Sequence, residues 1–86
     1  MSRSLEKVGS VTHYYGRIGV AVVELTAPLR VGDHIAIKGM TTNFEQVVES
    51  MEIEHKPVKE AGPGSSIGLK VSGRVREGDI IYRIGG

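Results

Sequence analysis

Gly62-Pro63-Gly64-Ser65-Ser66-Ile67-Gly68-Leu69-Lys70 has the glycine, serine and lysine content of a phosphate-binding loop. Such a loop cradles phosphates only when the residues fall in the spacing G-x-x-x-x-G-K-[ST]. Here Leu69 separates Gly68 from Lys70, and Val71 stands where a magnesium-binding hydroxyl is needed. The stretch therefore reads as a turn followed by a strand, and no GTPase chemistry is expected. His13, His34 and His55 invite a zinc reading, since neutral imidazole is a common ligand. None forms an H-x-x-x-H or H-E-x-x-H pair, and there is no Cys to complete a site. Neither metal nor cofactor is expected. Ser65 and Ser66 lie in a glycine-rich turn without a local His-plus-carboxylate arrangement to activate them. Glu49, Glu52 and Glu54 form a carboxylate run, but alternation sends Glu52 and Glu54 to the solvent face. A chain of 86 residues also has little room to wrap a substrate. The expectation is a non-enzyme with no small-molecule substrate.

Binding chemistry is better represented. Tyr14 and Tyr15 end an extended stretch beside His13 and Arg17. Aromatic rings with Arg on one rim can stack bases or anchor a protein contact. Lys56, Lys59, Arg74 and Arg76 flank the loops around the last two extended stretches and would complete a basic rim. The blander reading makes one Tyr core, the other half-exposed, and the basic residues solvated surface. Met40-Thr41-Thr42-Asn43-Phe44 adds a loop with an apolar tip. The formal charge is only +1, whereas proteins that hold nucleic acid through phosphates carry a clear basic excess. Strong non-specific RNA binding is disfavoured. The partner is expected to be a macromolecule, either RNA or ribosome on the one hand or another protein on the other.

The elements that must position these residues are strands. Pro28-Leu29-Arg30-Val31-Gly32-Asp33-His34-Ile35-Ala36-Ile37-Lys38-Gly39 organises the chain. Gly accepts positive φ and Asp bonds its own backbone two residues on, so Gly32-Asp33 starts a strand sharply. Ile35 and Ile37 then alternate with His34, Ala36 and Lys38. The same device returns as Arg76-Glu77-Gly78-Asp79 before Ile80–Ile84. Leu5–Tyr15 is rich in strand-favouring types, Gly16-Arg17 turns, and Ile18–Leu25 is the most apolar run. Phe44–Val58 also reads as a strand, with a bulge near Glu49-Ser50 and with Val47, Met51 and Ile53 on one side. Ser66–Val71 alternates with Ile67, Leu69 and Val71 inward. The predicted core is Val20, Val22, Ile35, Ile37, Ile67, Leu69 and Ile81. Six strands, short turns and no credible helix predict an all-β domain over residues 1–86. A sheet of that size hides its edges best by closing, so the fold expected is a small six-stranded Greek-key-type barrel. No segment approaches the roughly 20 apolar residues of a membrane-spanning helix. Met1-Ser2-Arg3-Ser4-Leu5-Glu6-Lys7 lacks the apolar run of a secretory signal. A cytoplasmic address and no membrane partner are the expectation.

The order of the phrases VGSVTHYY, IGVAVVEL, PLRVGDHIAIKG, VESMEIEHKPVKEAGPGSSIGLKV and VREGDIIYRIG resembles the second domain of translational GTPases. That is the barrel following the GTPase domain in elongation factor Tu and initiation factor two. The Val48–Pro57 segment, VESM-x-I-x-H-K-P, is also similar to the C-terminal barrel of collagenase-like peptidases. The first resemblance implies a translation-protein barrel that contacts tRNA ends or ribosomal RNA; the second implies an accessory domain whose catalytic groups lie elsewhere. The chain departs from the translation factors where Gly-Arg-Val commonly ends the second strand and Val23-Glu24-Leu25 stands here. No pocket residue is therefore carried over.

Overall fold

The structure, a computed structural model, describes residues 4–85. Met1, Ser2 and Arg3 of the N-terminal stretch, and Gly86, lie outside the described residues. The described chain is all β. It runs β1 (Ser4–Tyr15), β2 (Val20–Leu25), β3 (Leu29–Arg30), β4 (His34–Lys38), β5 (Asn43–Val47), β6 (Met51–Ile53), β7 (Lys56–Val58), β8 (Glu60–Ala61), β9 (Ser66–Lys70) and β10 (Ile80–Gly85). Eight strands form one antiparallel sheet in the order β5-β4-β10-β1-β2-β9-β6-β7, and β3 pairs separately with β8. The strand count thus exceeds the expected six. Phe44–Val58 is three strands, β5, β6 and β7, broken at 48–50 where a bulge was expected.

The sheet bends far enough for a side chain of its first strand to reach the end of its sixth. Gln46 of β5 donates to the Lys70 carbonyl at 2.8 Å and accepts from the Ser72 amide at 2.7 Å, at the end of β9. Bulges at Val8 and Thr12 of β1, where the register to β10 and β2 shifts, supply part of the curvature. Gly9 follows the first bulge, and a Cβ there would lie 2.7 Å from the Glu24 carbonyl oxygen, so β2 can approach only a glycine. One buried cluster fills the inside, including Val11, Val23, Leu25, Ile35, Ile37, Met51, Ile67, Leu69 and Ile81.

Two Arg-x-Gly-Asp turns repeat a single construction. In each, the Asp amide donates to the Arg carbonyl at 3.1 Å, while the Asp carboxylate accepts from the Arg amide, at 2.9 Å for Asp33 and 2.8 Å for Asp79. Gly32 and Gly78 have φ of 98° and 92°, a conformation that disfavours any Cβ. Each turn also grips one buried valine by both backbone groups. Gly32 N–H and Asp33 C=O hold Val48, and Gly78 N–H and Asp79 C=O hold Val11, at 2.8–2.9 Å. The copies differ in counter-charge. Asp33 lies 3.4 Å from Arg83, which also donates to Glu6 at 2.8 Å and to the Pro28 carbonyl at 2.7 Å. The hydrogen bond to Glu6, with the charges of Glu6 and Asp33, raises the Arg83 pKa above its ordinary value despite burial.

Part of the predicted core is corrected. Ile35, Ile37, Ile67, Leu69 and Ile81 are buried, but Val20 and Val22 are half-buried on the outer face, and Ala21, Val23 and Leu25 point inward instead. Residues directly opposite in an antiparallel pair share a face. Ala21 faces Leu69 and Val23 faces Ile67, so the inward phase of β9 fixes that of β2. Val47 is likewise exposed and Val48 buried, because the break after β5 advances the phase by one residue. Ala36, assigned to the outer side of β4, is buried too, between Tyr82 and Glu45.

Candidate functional site

The outer face of β1, β2, β9 and β6 carries a row of opposed positions that builds a groove. His13 stands opposite Val22, Val22 opposite Gly68, and Gly68 opposite Glu52. Neighbouring strands are about 4.8 Å apart, so Val22 and Glu52 flank a notch roughly 10 Å wide with glycine at its floor. The next row places Tyr15 opposite Val20 and Val20 opposite Lys70. Of these residues, Tyr15, Val20, Val22, Gly68 and Glu52 line a concavity of about 240 Å³, together with Ile18 from the turn after β1 and Glu54 and His55 from the β6–β7 connection. A Cβ on Gly68 would sit 3.4 Å from Val20 Cγ1, an ordinary contact, so this glycine leaves the notch open without being forced by the packing.

Local sequence explains how the lining is held. Tyr15 is half exposed, and its ring rests against the His13 ring at 4.3 Å between centroids. His13 Nδ1 lies 3.4 Å from Glu77, which ties this aromatic pair to the second Arg-x-Gly-Asp turn. Ile18, in the turn after β1, is 60% exposed, a large apolar side chain left to solvent. Lys70 reaches back to that turn and donates to the Ile18 carbonyl at 3.0 Å. On the far side, β6 and β7 are joined by Glu54 and His55, both at positive φ, 51° and 65°. Two-residue hairpins of this kind ordinarily use Asn-Gly, because a side chain in the left-handed region costs roughly 1–2 kcal/mol. The hairpin nonetheless presents a carboxylate and an imidazole to the groove.

The electrostatics are one-sided. Among the lining residues are two carboxylates, Glu52 and Glu54, and no Lys or Arg. Neither carboxylate has an ion-pair partner among the described residues, whereas Glu6, Asp33, Glu60 and Glu77 do. Ser66 also lines the groove with His55, but no hydrogen bond joins them. Among the described residues no group of three or more His, Cys, Asp or Glu stands together to hold a metal ion.

The residues of the predicted rim fall on several elements. Tyr14 is half-buried and packs against the core, while Tyr15 lines the groove. This is the blander arrangement of the pair. Arg17 sits exposed in the turn beside Ile18. Lys56 opens β7 opposite Ile53, and Lys59 follows β7, its carbonyl accepting from Val31 at 2.9 Å. Arg74 is exposed between β9 and β10. Arg76 lines a different concavity, beside the fully exposed Met40. Among the described residues Tyr15 is the one member of the predicted rim on the groove. Val20, Val22, Gly68, Glu52, Glu54 and His55 were not foreseen as a site. The alternation of Glu24 with Val22 and Val20 was the signal that could have found it, since a charged Glu24 puts all three outside.

No family model matches the chain. It is 44% identical over 77 residues to an uncharacterised protease of Methanocaldococcus jannaschii, covering 88% of this chain and 19% of that protein. It is 35% identical over 80 residues to elongation factor 1-alpha of Picrophilus torridus, covering 88% of this chain and 18% of that one. The chain thus spans about a fifth of the length of the curated relatives it matches. Among solved structures it is similar to the C-terminal domain of a Geobacillus thermoleovorans protein described as a U32 peptidase. That domain superposes with a TM-score of 0.85 at 26% identity, over 91% of each chain. Both kinds of relative fit an all-β domain. Among the described residues no helix is long and apolar enough to cross a membrane.

Proposed function

We propose that this chain is a non-catalytic docking module built on a translation-factor-type barrel. Strands β5-β4-β10-β1-β2-β9 form its ring of six, and the Gln46 side chain fastens β5 to β9 in place of a ladder. The groove over Gly68 receives a segment of a partner protein, with the module acting as an accessory domain or subunit. The observation that carries this reading is an apolar lining made by the exposed Tyr15 and Ile18 with the half-buried Val20 and Val22. Singly exposed apolar residues need no explanation, but a contiguous set around a concavity marks an interaction site. The relatives support it, since similar domains form parts of proteins about five times longer. Ser66, His55 and the two glutamates share the groove without a hydrogen bond that would orient a base, which favours docking over hydrolysis.

An RNA or ribosomal partner, in a translation-associated role, is the second reading. It is favoured by the likeness to elongation factor 1-alpha and by the His13–Tyr15 pair, on which a base could stack. Charge decides between them. A phosphate chain would meet Glu52 and Glu54 in the groove, and the basic residues that could hold it are scattered elsewhere. The test is capture from source-cell lysate on immobilised wild type, Gly68→Val and Arg74→Glu/Arg76→Glu. The expected result is a protein that survives nuclease, is lost with Gly68→Val and persists with the charge reversal. Captured RNA, weakened by the charge reversal with a flattened salt dependence, would establish the second reading instead.

A further inference from the structure

The groove joins two chemistries end to end. Its floor is aliphatic, made by Val20, Val22 and the bare backbone of Gly68, and its far lip carries Glu52 and Glu54 without a counter-ion among the described residues. Lys70, whose strand runs beside the groove, is committed to the Ile18 carbonyl. A concavity of about 240 Å³ is smaller than the roughly 300–1,000 Å³ of sites that enclose a small molecule. It has the scale of a single long side chain. Arginine and lysine are the side chains with an aliphatic stem and a cationic head, and they bury the stem while the head stays charged. Arginine suits this lip better, because its planar fork of donors can engage carboxylates bidentately and can also lie on an aromatic face. Tyr15, braced by His13, offers such a face at the groove wall.

We infer that the groove binds an arginine side chain presented by an extended segment of the partner protein, its stem over Val22 and Gly68 and its guanidinium between Glu52 and Glu54. This rests on the reading of the groove as a protein-docking site and names the chemistry of the partner. Gly68 then has a role of its own: it makes the channel along which the stem lies. Val20 and Val22 supply the aliphatic surface on which it packs.

The experiment is a titration of ¹⁵N-labelled protein with four small probes, followed through backbone amide shifts. The probes are N-acetyl-arginine methylamide, the uncharged isostere N-acetyl-citrulline methylamide, N-acetyl-glutamate methylamide and adenosine monophosphate. The arginine probe should shift the amides of Val22, Glu52 and Gly68 saturably, and should bind at least about tenfold more tightly than citrulline, since charge-assisted hydrogen bonds are about twice as strong as neutral ones. Glu52→Gln/Glu54→Gln should remove that preference, and Gly68→Val should remove the shifts altogether. Both glutamates are exposed, so the double variant is expected to fold. Equal binding of citrulline, tighter binding of the nucleotide at these amides, or no saturable shift with the arginine probe overturns the inference. If protein capture is lost with Gly68→Val but unchanged with Glu52→Gln/Glu54→Gln, the docking reading stands and the arginine assignment falls.

Discussion

Strands β2 and β9 build two unlike surfaces from alternate residues of the same ladder. Inward, Ala21, Val23, Ile67 and Leu69 are sealed into the core, at most 1% exposed. Outward, Val20 and Val22 are only half covered, and the position between Val22 and Glu52 on the neighbouring strands is held by Gly68. Apart from Glu24 at its end, the outer face of β2 is apolar like the inner one, yet only the inner face is needed to hold the fold together. An apolar strand face with solvent beyond it and a glycine notch beside it contributes little to stability. On the docking reading proposed above, a partner covers it. The two faces should therefore answer differently to substitution, the inner one in stability and the outer one in binding.

Changes that break the inner face should have the largest effect. Leu69→Ala is expected to cost about 2–5 kcal/mol, as large-to-small core substitutions do. Chemical denaturation checks it, and a loss under about 0.5 kcal/mol would place β9 outside the core. Next is the hairpin at the groove lip. Replacing Glu54-His55 by Asn-Gly relieves two left-handed side chains and should stabilise by roughly 1–2 kcal/mol. For a domain of this size each kcal/mol raises the melting temperature by roughly 4–8 °C. The same change removes Glu54 from the lip, so partner binding should weaken while stability rises. A fall in melting temperature would show that the hairpin side chains serve the fold. Smallest in stability is Val22→Thr, expected within about 0.5 kcal/mol of wild type, as surface substitutions usually are. Its effect should appear as weaker partner binding measured in parallel.

Much of the fold was legible because its punctuation is local. The Gly32-Asp33 and Gly78-Asp79 turns carry their own instructions, and each opens a strand as expected, although the Asp carboxylate accepts from the Arg amide three residues back rather than from backbone two residues on. The inward phase of β9 was legible for the same kind of reason, since Ile67 and Leu69 alternate with Ser66 and Lys70. The phase of β2 was not evident from the run Val20–Val23, which is apolar at every position. It is set by pairing with β9, a contact between residues more than forty positions apart. Phe44–Val58 reads as one bulged strand because Val47-Val48 and Ile53–Pro57 suit an extended chain, but Val48 is held by the first Arg-x-Gly-Asp turn, and the strand breaks there. The groove was illegible for a related reason. Its members come from β1, β2, the β6–β7 hairpin and β9, and only the sheet order brings them together. Looking for a rim by residue type selected exposed cations on several elements, whereas the concavity is defined by a missing side chain at Gly68.

The central claim is that the outer face of β2 and β9 is a docking surface held open by Gly68. It is tested most directly by Gly68→Val, with melting temperature and partner capture from nuclease-treated lysate measured on one preparation. A mid-strand glycine is destabilising by roughly 0.5–1 kcal/mol relative to alanine, and the added side chain projects into the groove rather than the core. The account predicts a melting temperature equal to or above that of wild type, together with loss of the captured protein. A folded Gly68→Val protein that captures its partner as wild type does would contradict it.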